Sequence, residues 1–283
     1  MIRHWCQSRV WYRFSRNRLS VVGLTIVIAV VFMATLAPWI VPYPEHAKAF
    51  VDVENMSQPP TVNHLFGTDD VGRDVLSRVV FGYRTSLVLA VVVLAIAAPL
   101  GVIFGLIAGY LGGWADAVIM RVTDVFLAVP SLVLAMAILG LFSPSLVMAM
   151  VAVSAGWWPW YTRLVYNLSR SLRTEGYVTA AQVVGASSLR IMFSEILPNC
   201  LGTVLTKITL DMGFVILLGS SLSFLGLGAQ PPTPDLGSMV AEGTIFLPDV
   251  WWPSVFPSLA ILIVVFGLNL VGDGLRDLFG VEV

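Results

Sequence analysis

The sequence predicts an all-α membrane protein with six transmembrane helices. Of its 283 residues, 57% are hydrophobic and only 12% are charged, which is about half the charged share of a soluble domain. Several long stretches contain no Asp, Glu, Lys or Arg, the longest being residues 125–162. A helix of about 20 apolar residues crosses the hydrocarbon core of a bilayer. Residues 88–96 are apolar on every side rather than at alternate positions, which argues against the strands of a membrane barrel.

Composition also excludes several functional classes. The formal net charge is −1, so no general basic field indicates a nucleic-acid partner. Cys6 and Cys200 lie far apart without a CxxC spacing, which predicts neither a disulfide framework nor a zinc site. His4, His46 and His64 lack the spacing typical of metal ligands. We therefore predict no catalytic residue and no metal site in this chain.

The uncharged stretches divide into six helices. Residues 125–162 are too long for one crossing, and Ser143 and Pro144 suit a turn that divides them. The first stretch is longer than the apolar region of a signal peptide, so we interpret it as a retained anchor. The predicted spans are 20–42, 86–110, 117–140, 144–167, 200–227 and 253–273.

The distribution of basic residues predicts that both termini face the cytoplasm. Five arginines and no acid precede the first span, and four more arginines lie in or beside segment 168–198. The loop after the fifth span contains acids and no base. The sequence before the span 20–42 is predicted to be a cytoplasmic amphipathic lead-in over 1–19. After that span we predict an extracytoplasmic loop over 43–85, a five-helix core over 86–275 and a cytoplasmic tail over 276–283. The core contains a second outer loop, over 227–250.

Segment 168–198 is predicted to contain a short cytoplasmic helix that suits the docking of another protein. Residues 177–184 favour a helix, Gly185 suits its C-terminal end, and Ser187 or Ser188 can start the next helix. Ala180 and Ala181 are small enough for another surface to approach the backbone closely. The alternative is a plain connector between two spans, and composition alone leaves both open.

The outer loop 43–85 carries a second local signal. Thr68 or Asp69 suits the N-terminal cap of a short helix that starts near Val71, and Asp70 lies in or near its first turn. A Pro-rich stretch at 230–234 lies in the other loop predicted on this face.

Four motifs resemble one family of membrane proteins. The EAA loop of ABC importer permeases is similar to the pattern formed by Thr179-Ala180-Ala181, Gly185 and Leu197-Pro198. The C-type permease subunit of dipeptide, oligopeptide and nickel importers is similar at residues 67–74 (GTDDVGRD), 226–234 (GLGAQPPTP) and 266–277 (FGLNLVGDGLRD). The similarity extends from about Asn17 to Asp277 in the family's order.

This resemblance implies the type I ABC importer permease fold and half of a translocation path for di- or oligopeptides, in the bacterial inner membrane. The implied partners are a homologous B-type permease, two cytoplasmic ATPase subunits and an extracytoplasmic solute-binding protein. The sequence contains no GxxxxGK[ST] phosphate-binding loop. We therefore expect ATP and Mg²⁺ to be bound by the ATPase subunits, with no cofactor in this chain and no enzymatic activity of its own.

The resemblance also implies which residues couple this chain to the ATPases. The positions that match the loop or flank its helix are Tyr177, Thr179, Ala180, Ala181, Gly185, Ser187, Leu197 and Pro198. Thr179 stands where the family's loop has Glu, so this position offers no carboxylate for a salt bridge. Glu175 or Arg173 is the alternative source of charge.

Ionisable residues within predicted spans are functional candidates because they are costly in hydrocarbon. Arg121 and Asp124 share one helix face near the cytoplasm, and either an intrahelical pair or snorkelling of Arg121 to the membrane surface explains them. Lys207 and Asp211 lie deeper in the fifth span, where contact with a partner permease and a cavity-lining role are both open.

Three further residues complete the candidates for a translocation path or a contact between subunits. Trp160 belongs to a group of tryptophans around Pro159, which either line a cavity or pack. Ser220 and Ser221 belong to a stretch of small residues in the fifth span, which permits close helix packing or leaves room for a path.

Two other functions remain open. Residues 160–165 look closer to nickel-type members of the family, so the alternative cargo is nickel or a metallophore, carried by the same type of importer. A self-sufficient channel or ion-coupled carrier is the alternative from a different class. It predicts an internal repeat and several ionisable residues at the membrane midplane. We find no repeat in the sequence.

Overall fold

The computed structural model describes residues 17–279, and this part of the chain is helical, with one isolated bridge between Thr68 and Asp74. Two short 3₁₀ helices occupy Pro44–Ala47 and Val53–Asn55, and a π-helical segment occupies Ile191–Ile196. The α-helices are α1 (Arg18–Thr35), α2 (Ala37–Ile40), α3 (Val75–Leu111), α4 (Gly113–Leu127), α5 (Ser131–Leu139), α6 (Leu146–Leu172), α7 (Gly176–Val183), α8 (Ser188–Arg190), α9 (Leu197–Phe224), α10 (Leu236–Thr244) and α11 (Trp252–Phe279).

Four of the described helical stretches are long and apolar enough to cross a membrane, and a fifth is added if the bent pair α4 and α5 counts as one span. The four are Arg18–Thr35, Val75–Leu111, Ser188–Phe224 and Trp252–Leu278. Helix α6 covers the predicted span 144–167 but does not belong to this set, because its tryptophans, Pro159 and Arg163 lower its mean hydropathy. The number of six crossings therefore stays a prediction.

The predicted span 117–140 is not one straight helix. It is broken after Leu127, and α5 begins at Ser131 at an angle of 86° to α4. Pro130 causes the break, because proline has no backbone N–H and disfavours helical geometry at the residue before it. Its backbone is extended, with ψ at 130°.

The helix that contains the predicted second span is longer than that span. Helix α3 begins at Val75, eleven residues before the predicted boundary at 86, and runs without interruption to Leu111. Its N-terminal cap is Asp74, whose carboxylate accepts a hydrogen bond from the backbone N–H of Ser77 at 2.8 Å. The short helix expected near Val71 does not form, because residues 68–74 fold into a turn instead.

Three glycines on one face of α3 set its close packing against α6. Gly101, Gly105 and Gly109 recur every fourth residue, which is the spacing of small residues that lets membrane helices approach backbone to backbone. A Cβ atom added to Gly105 would lie 2.7 Å from the backbone oxygen of Thr162. At Gly109 it would lie 2.8 Å from the backbone oxygen of Tyr166.

Helix α1 lies against α11 through a similar contact. A Cβ atom added to Gly23 would lie 2.5 Å from the Leu270 side chain. Asn17 caps α1 with its side chain and also donates to Asp277 at 3.4 Å, so the two ends meet. Of the predicted lead-in over 1–19, residues 1–16 lie outside the described residues, and the last two residues already belong to α1. Of the predicted tail over 276–283, residues 276–279 form the last turn of α11, and residues 280–283 lie outside the described residues.

Candidate functional site

Helix α7 occupies the connection between α6 and α9, at one end of the helical bundle. Val178 is fully buried and Ala181 is half-buried against the core, so these two residues anchor the helix. Gln182 donates to the hydroxyl of Tyr110 at the end of α3, with the two atoms 3.4 Å apart. A short helix with one anchored face therefore stands between two long ones.

The opposite face of α7 is exposed. Thr179 and Ala180 lie on it, and the C-terminal end carries Val183 and Val184, which are 83% and 88% exposed. Exposed apolar side chains at the end of a helix are typical of a contact surface for another protein. Of the two small residues considered in the sequence, Ala180 belongs to this surface, whereas Ala181 packs inward.

The ends of α7 follow the sequence signals. Gly185 has a φ of +86°, the left-handed conformation that glycine adopts readily, and its N–H donates to the carbonyl of Gln182. The hydroxyl of Ser187 then accepts from the N–H of Arg190 and caps α8. The predicted stop and start are therefore both present.

The remaining residues of the loop lead into α9. Leu197 is half-buried, and Pro198 is exposed in the first turn of α9, where a missing N–H is tolerated. The side chain of Asn199 donates to the hydroxyl of Tyr177 at 3.3 Å. This contact fixes the exposed Tyr177 between α7 and the start of α9.

Lys207 and Asp211 form an ion pair within α9. The ammonium Nζ of Lys207 lies 2.7 Å from Oδ1 of Asp211. The indole N–H of Trp157, on α6, donates to Oδ2 of the same carboxylate at 3.0 Å. Asp211 is almost fully buried, whereas the Lys207 side chain is 29% exposed. The exposed ring of Trp160 lies with its centroid 6.0 Å from the Lys207 ammonium.

Ser220 and Ser221 line an open cavity further along α9. The cavity has a volume of about 390 Å³ and lies between the end of α9, α10 and α11. Its other polar side chain is Ser258, and its remaining lining is mainly apolar, including Leu217 and Ile261. Lys207, Phe214 and Ser221 recur every seventh residue, so they lie close to one face of α9, and Phe214 is exposed on that face.

The interpretation of Arg121 and Asp124 as an intrahelical pair is wrong. Asp124 forms its ion pair with Arg163 of α6, and both side chains are nearly half exposed. Among the described residues, Arg121 has no salt bridge. The choice of partner depends on how α4 packs against α6, and spacing along α4 could not indicate it.

The motif at residues 67–74 builds a compact turn at the opposite end of the bundle. The carboxylate of Asp69 accepts from the N–H groups of Val71 and Arg73 and pairs with the Arg73 guanidinium at 2.7 Å. Gly72 has a φ of +83° and lies against the backbone of Asp52, so no larger residue fits there. Asp69 and Arg73 are both buried, which the pattern of charges along the sequence did not indicate.

This turn is tied to the other loop at the same end, and we call residues 43–74 and 226–250 together the crown. Arg73 reaches Glu242 of α10 at 3.6 Å. Arg78, at the start of α3, is buried and lies 3.6 Å from Asp69. The indole N–H of Trp252 donates to the carbonyl of Thr68 at 2.9 Å. These contacts tie the two parts of the crown to each other and to the starts of α3 and α11.

Two histidines of the crown hold the capping residue Asp74. The backbone N–H of Asp74 donates to Nδ1 of His46 at 2.8 Å, and Nδ1 of His64 lies 3.0 Å from the Asp74 carboxylate. The pKa of His46 is lowered, mainly by burial and also by His64, and this outweighs the opposing effect of Glu45, Asp74 and Asp69. His46 is therefore an uncharged acceptor.

We expect the crown to lose stability below about pH 6.5. The folded pKa of His46 lies below its ordinary value of 6.5, so the unfolded chain binds the proton first as the pH falls. The free energy of unfolding therefore decreases as the pH falls through 6.5 and levels off below the folded pKa. His46→Asn keeps an acceptor for Asp74 without a titrating ring. Tm measured from pH 8 to pH 5 should fall less for His46→Asn than for the unmodified chain, and parallel curves would contradict the assignment.

Comparison with known proteins agrees with this architecture. Residues 101–281 match the family model described as "Binding-protein-dependent transport system inner membrane component", and residues 7–60 match the "N-terminal TM domain of oligopeptide transport permease C". A solved structure of the MetNI methionine ABC transporter in an inward-facing conformation has a TM-score of 0.55 and 19% identity, over 72% of this chain and 96% of that one. That likeness shows the fold of an ABC importer permease.

The curated relatives are closer in sequence. The dipeptide transport system permease protein DppC of Escherichia coli (strain K12) is 45% identical over 94% of this chain and 90% of that one. The probable D,D-dipeptide transport system permease protein DdpC of the same strain is 41% identical over 96% of this chain and 90% of that one.

These matches cover both the helical core and the crown. The EAA loop, found here on α7, is typical of the family, whose members are membrane transport components rather than enzymes. The chain belongs to the binding-protein-dependent transport system inner membrane components, as a C-type permease subunit of the dipeptide, oligopeptide and nickel ABC importers.

Proposed function

We propose that this chain forms half of the translocation path of an importer of di- and oligopeptides in the bacterial inner membrane. The observation that carries the proposal is α7, a short exposed helix held between two long ones in a chain without a phosphate-binding loop. Peptide cargo is supported by relatives named dipeptide permeases at 45% and 41% identity over most of the chain.

The proposed topology has six crossings with both termini in the cytoplasm. Helix α6 is less apolar than the other spans, but the glycine face of α3 covers one of its sides, so that side needs no lipid. Helices α4 and α5 together form one broken crossing in this proposal. Non-helical backbone within a membrane is tolerated where protein or water covers it, and a partner permease would cover the break at residues 128–130.

The proposed coupling surface is the exposed side of α7. ATPase subunits in the cytoplasm would contact Thr179, Ala180, Val183 and Val184, whose exposed methyl groups gain from burial. Movement of the ATPases would then pass through Val178 and Gln182 into the bundle. Tyr177, Gly185, Ser187, Leu197 and Pro198 would shape this surface rather than provide its main contacts.

The proposed translocation path follows the exposed face of α9. Lys207 lies on this face, and Trp160 of α6 lies beside it. Ser220 and Ser221 line the cavity near the crown end of α9, and Asp211 pairs with Lys207 from the buried side. Charged groups facing hydrocarbon are unfavourable, which supports a homologous permease or water, and not lipid, on this side. The crown would face an extracytoplasmic solute-binding protein.

The test uses the complete importer in proteoliposomes. The chain is co-expressed with a B-type permease, ATPase subunits and a solute-binding protein from the same organism, and uptake of labelled dialanine is measured with ATP inside. ATP-dependent uptake that needs the binding protein is the expected result. Uptake of ⁶³Ni²⁺ with no uptake of dialanine would replace peptide by metal cargo. Flux through the permeases alone, without ATPase subunits, would overturn the importer proposal in favour of a channel or carrier.

A further inference from the structure

Lys207 places a partly exposed ammonium group near the middle of a membrane helix. It is ten residues beyond the start of α9 at Leu197 and 17 residues before its end at Phe224, about 15 and 26 Å at 1.5 Å per residue. Within α9, the feature that accompanies this lysine is its ion pair with Asp211 one turn later, which neutralises its charge and leaves the side chain 29% exposed. The surroundings of its ammonium therefore indicate its role.

Asp211 holds Lys207 in place but occupies only one of the hydrogen-bond donors of the Lys207 ammonium. Each carboxylate oxygen of Asp211 has a donor, the ammonium on one side and the indole N–H of Trp157 on the other. Within residues 17–279, Nζ of Lys207 donates one hydrogen bond, to Asp211. An ammonium group has three donors, so two donors remain for an acceptor that arrives from the exposed side.

The chemistry around the ammonium suits the end of a peptide. Trp160 exposes 46% of its surface beside Lys207 and offers a ring face for an apolar or methyl-bearing group. Hydrogen bonds between an ammonium and a carboxylate are among the stronger ones in proteins. Because Asp211 already neutralises the lysine, a second carboxylate would be held only weakly, and a transport path needs such release.

We propose that Lys207 is a transient binding site for the carboxylate of the cargo in the translocation path, with Trp160 beside it and Asp211 as its positioning residue. This inference rests on the proposed function, because it needs a cargo with a free carboxylate. Such a cargo would enter from the cavity at Ser220 and Ser221 and reach Lys207 along the exposed face of α9. A nearby carboxylate of the chain itself, Asp211, holds the ammonium between passages.

The test separates this role from that of a structural brace between α6 and α9. Three variants are compared in the complete importer: Lys207→Arg, Lys207→Met, and the double variant Lys207→Met/Asp211→Asn. The double variant removes both charges and keeps an acceptor for Trp157, so a mere brace would be repaired by it. ATPase activity stimulated by the loaded binding protein is measured in parallel, because a folded and coupled complex should keep it.

We expect Lys207→Met to lose about tenfold in dialanine uptake, the size expected for one hydrogen bond to a charged group, and Lys207→Arg, which retains the positive charge, to lose less. The double variant should stay equally low while its ATPase stimulation is normal, so that more ATP is consumed per peptide. Uptake restored in the double variant, or unaffected in Lys207→Met, would overturn the inference. An unmodified importer that takes up no dialanine would instead count against the proposed function.

Discussion

Ala180→Trp is expected to abolish ATP-driven uptake while leaving the chain folded. Ala180 is exposed on α7 beside Thr179, so an indole there extends into solvent without disturbing the core. In the assembled importer it would hold the ATPase away from Val183 and Val184. Loss of a central interface contact is worth about 2–4 kcal/mol, which lowers affinity by roughly 30- to 1,000-fold. The measurements are co-purification of ATPase subunits and vanadate-sensitive ATP hydrolysis.

The matched control for this prediction is Ala49→Trp. Ala49 is also an exposed alanine, but it lies in the crown, at the other end of the bundle. The same substitution there should leave ATPase co-purification unchanged. If Ala180→Trp retained both the ATPase subunits and their activity, α7 would be a connector and the coupling surface would have to lie elsewhere.

Gly105→Ala is expected to destabilise the fold by about 1–3 kcal/mol, the range measured for overpacked cores. The added methyl group would lie 2.7 Å from the backbone oxygen of Thr162 and 2.8 Å from the Val165 side chain. Both positions belong to α6, so the two helices would have to separate. Tm of the purified chain and the yield of monodisperse protein are the measurements.

Gly156→Ala provides the control for this substitution. Gly156 is also a helical glycine, in α6, but an added Cβ would meet nothing nearer than 3.6 Å. Alanine is the better helix former by up to about 1 kcal/mol, so this variant should be neutral or slightly stabilised. An equal loss of Tm in both variants would show that the contact between α3 and α6 does not depend on the glycine face.

The spacing of these glycines was readable from the sequence and was missed there. Gly101, Gly105 and Gly109 lie on one helix face in any membrane helix, so the signal is local. The helix that packs against them cannot be identified locally, because nothing in α3 indicates that this face meets α6 rather than α9. The buried state of Arg78 was missed for the same reason, since its counter-charge Asp69 is placed beside it by the crown.

Local patterns determined the predictions that hold. Hydropathy alone indicated an all-helical membrane protein, and Gly185 and Ser187 marked the end of α7 and the start of α8, because backbone conformation at a helix end depends on the residue there. Local signals also misled. Thr68 or Asp69 was expected to cap a helix near Val71. The helix begins at Val75 instead and is capped by Asp74, because the turn before it uses the Asp69 carboxylate for Arg73.

The sequence by itself determined the membrane character, the helical class and the place of the short helix α7, since each depends on residues adjacent along the chain. Only the tertiary structure decided which charges pair, where the third predicted span breaks and which small residues are buried. Asp124 pairs with Arg163 and not with Arg121, and Ala181 is partly buried whereas Ala180 is exposed. These outcomes depend on the distance and rotation between helices, which packing sets through many contacts remote in sequence.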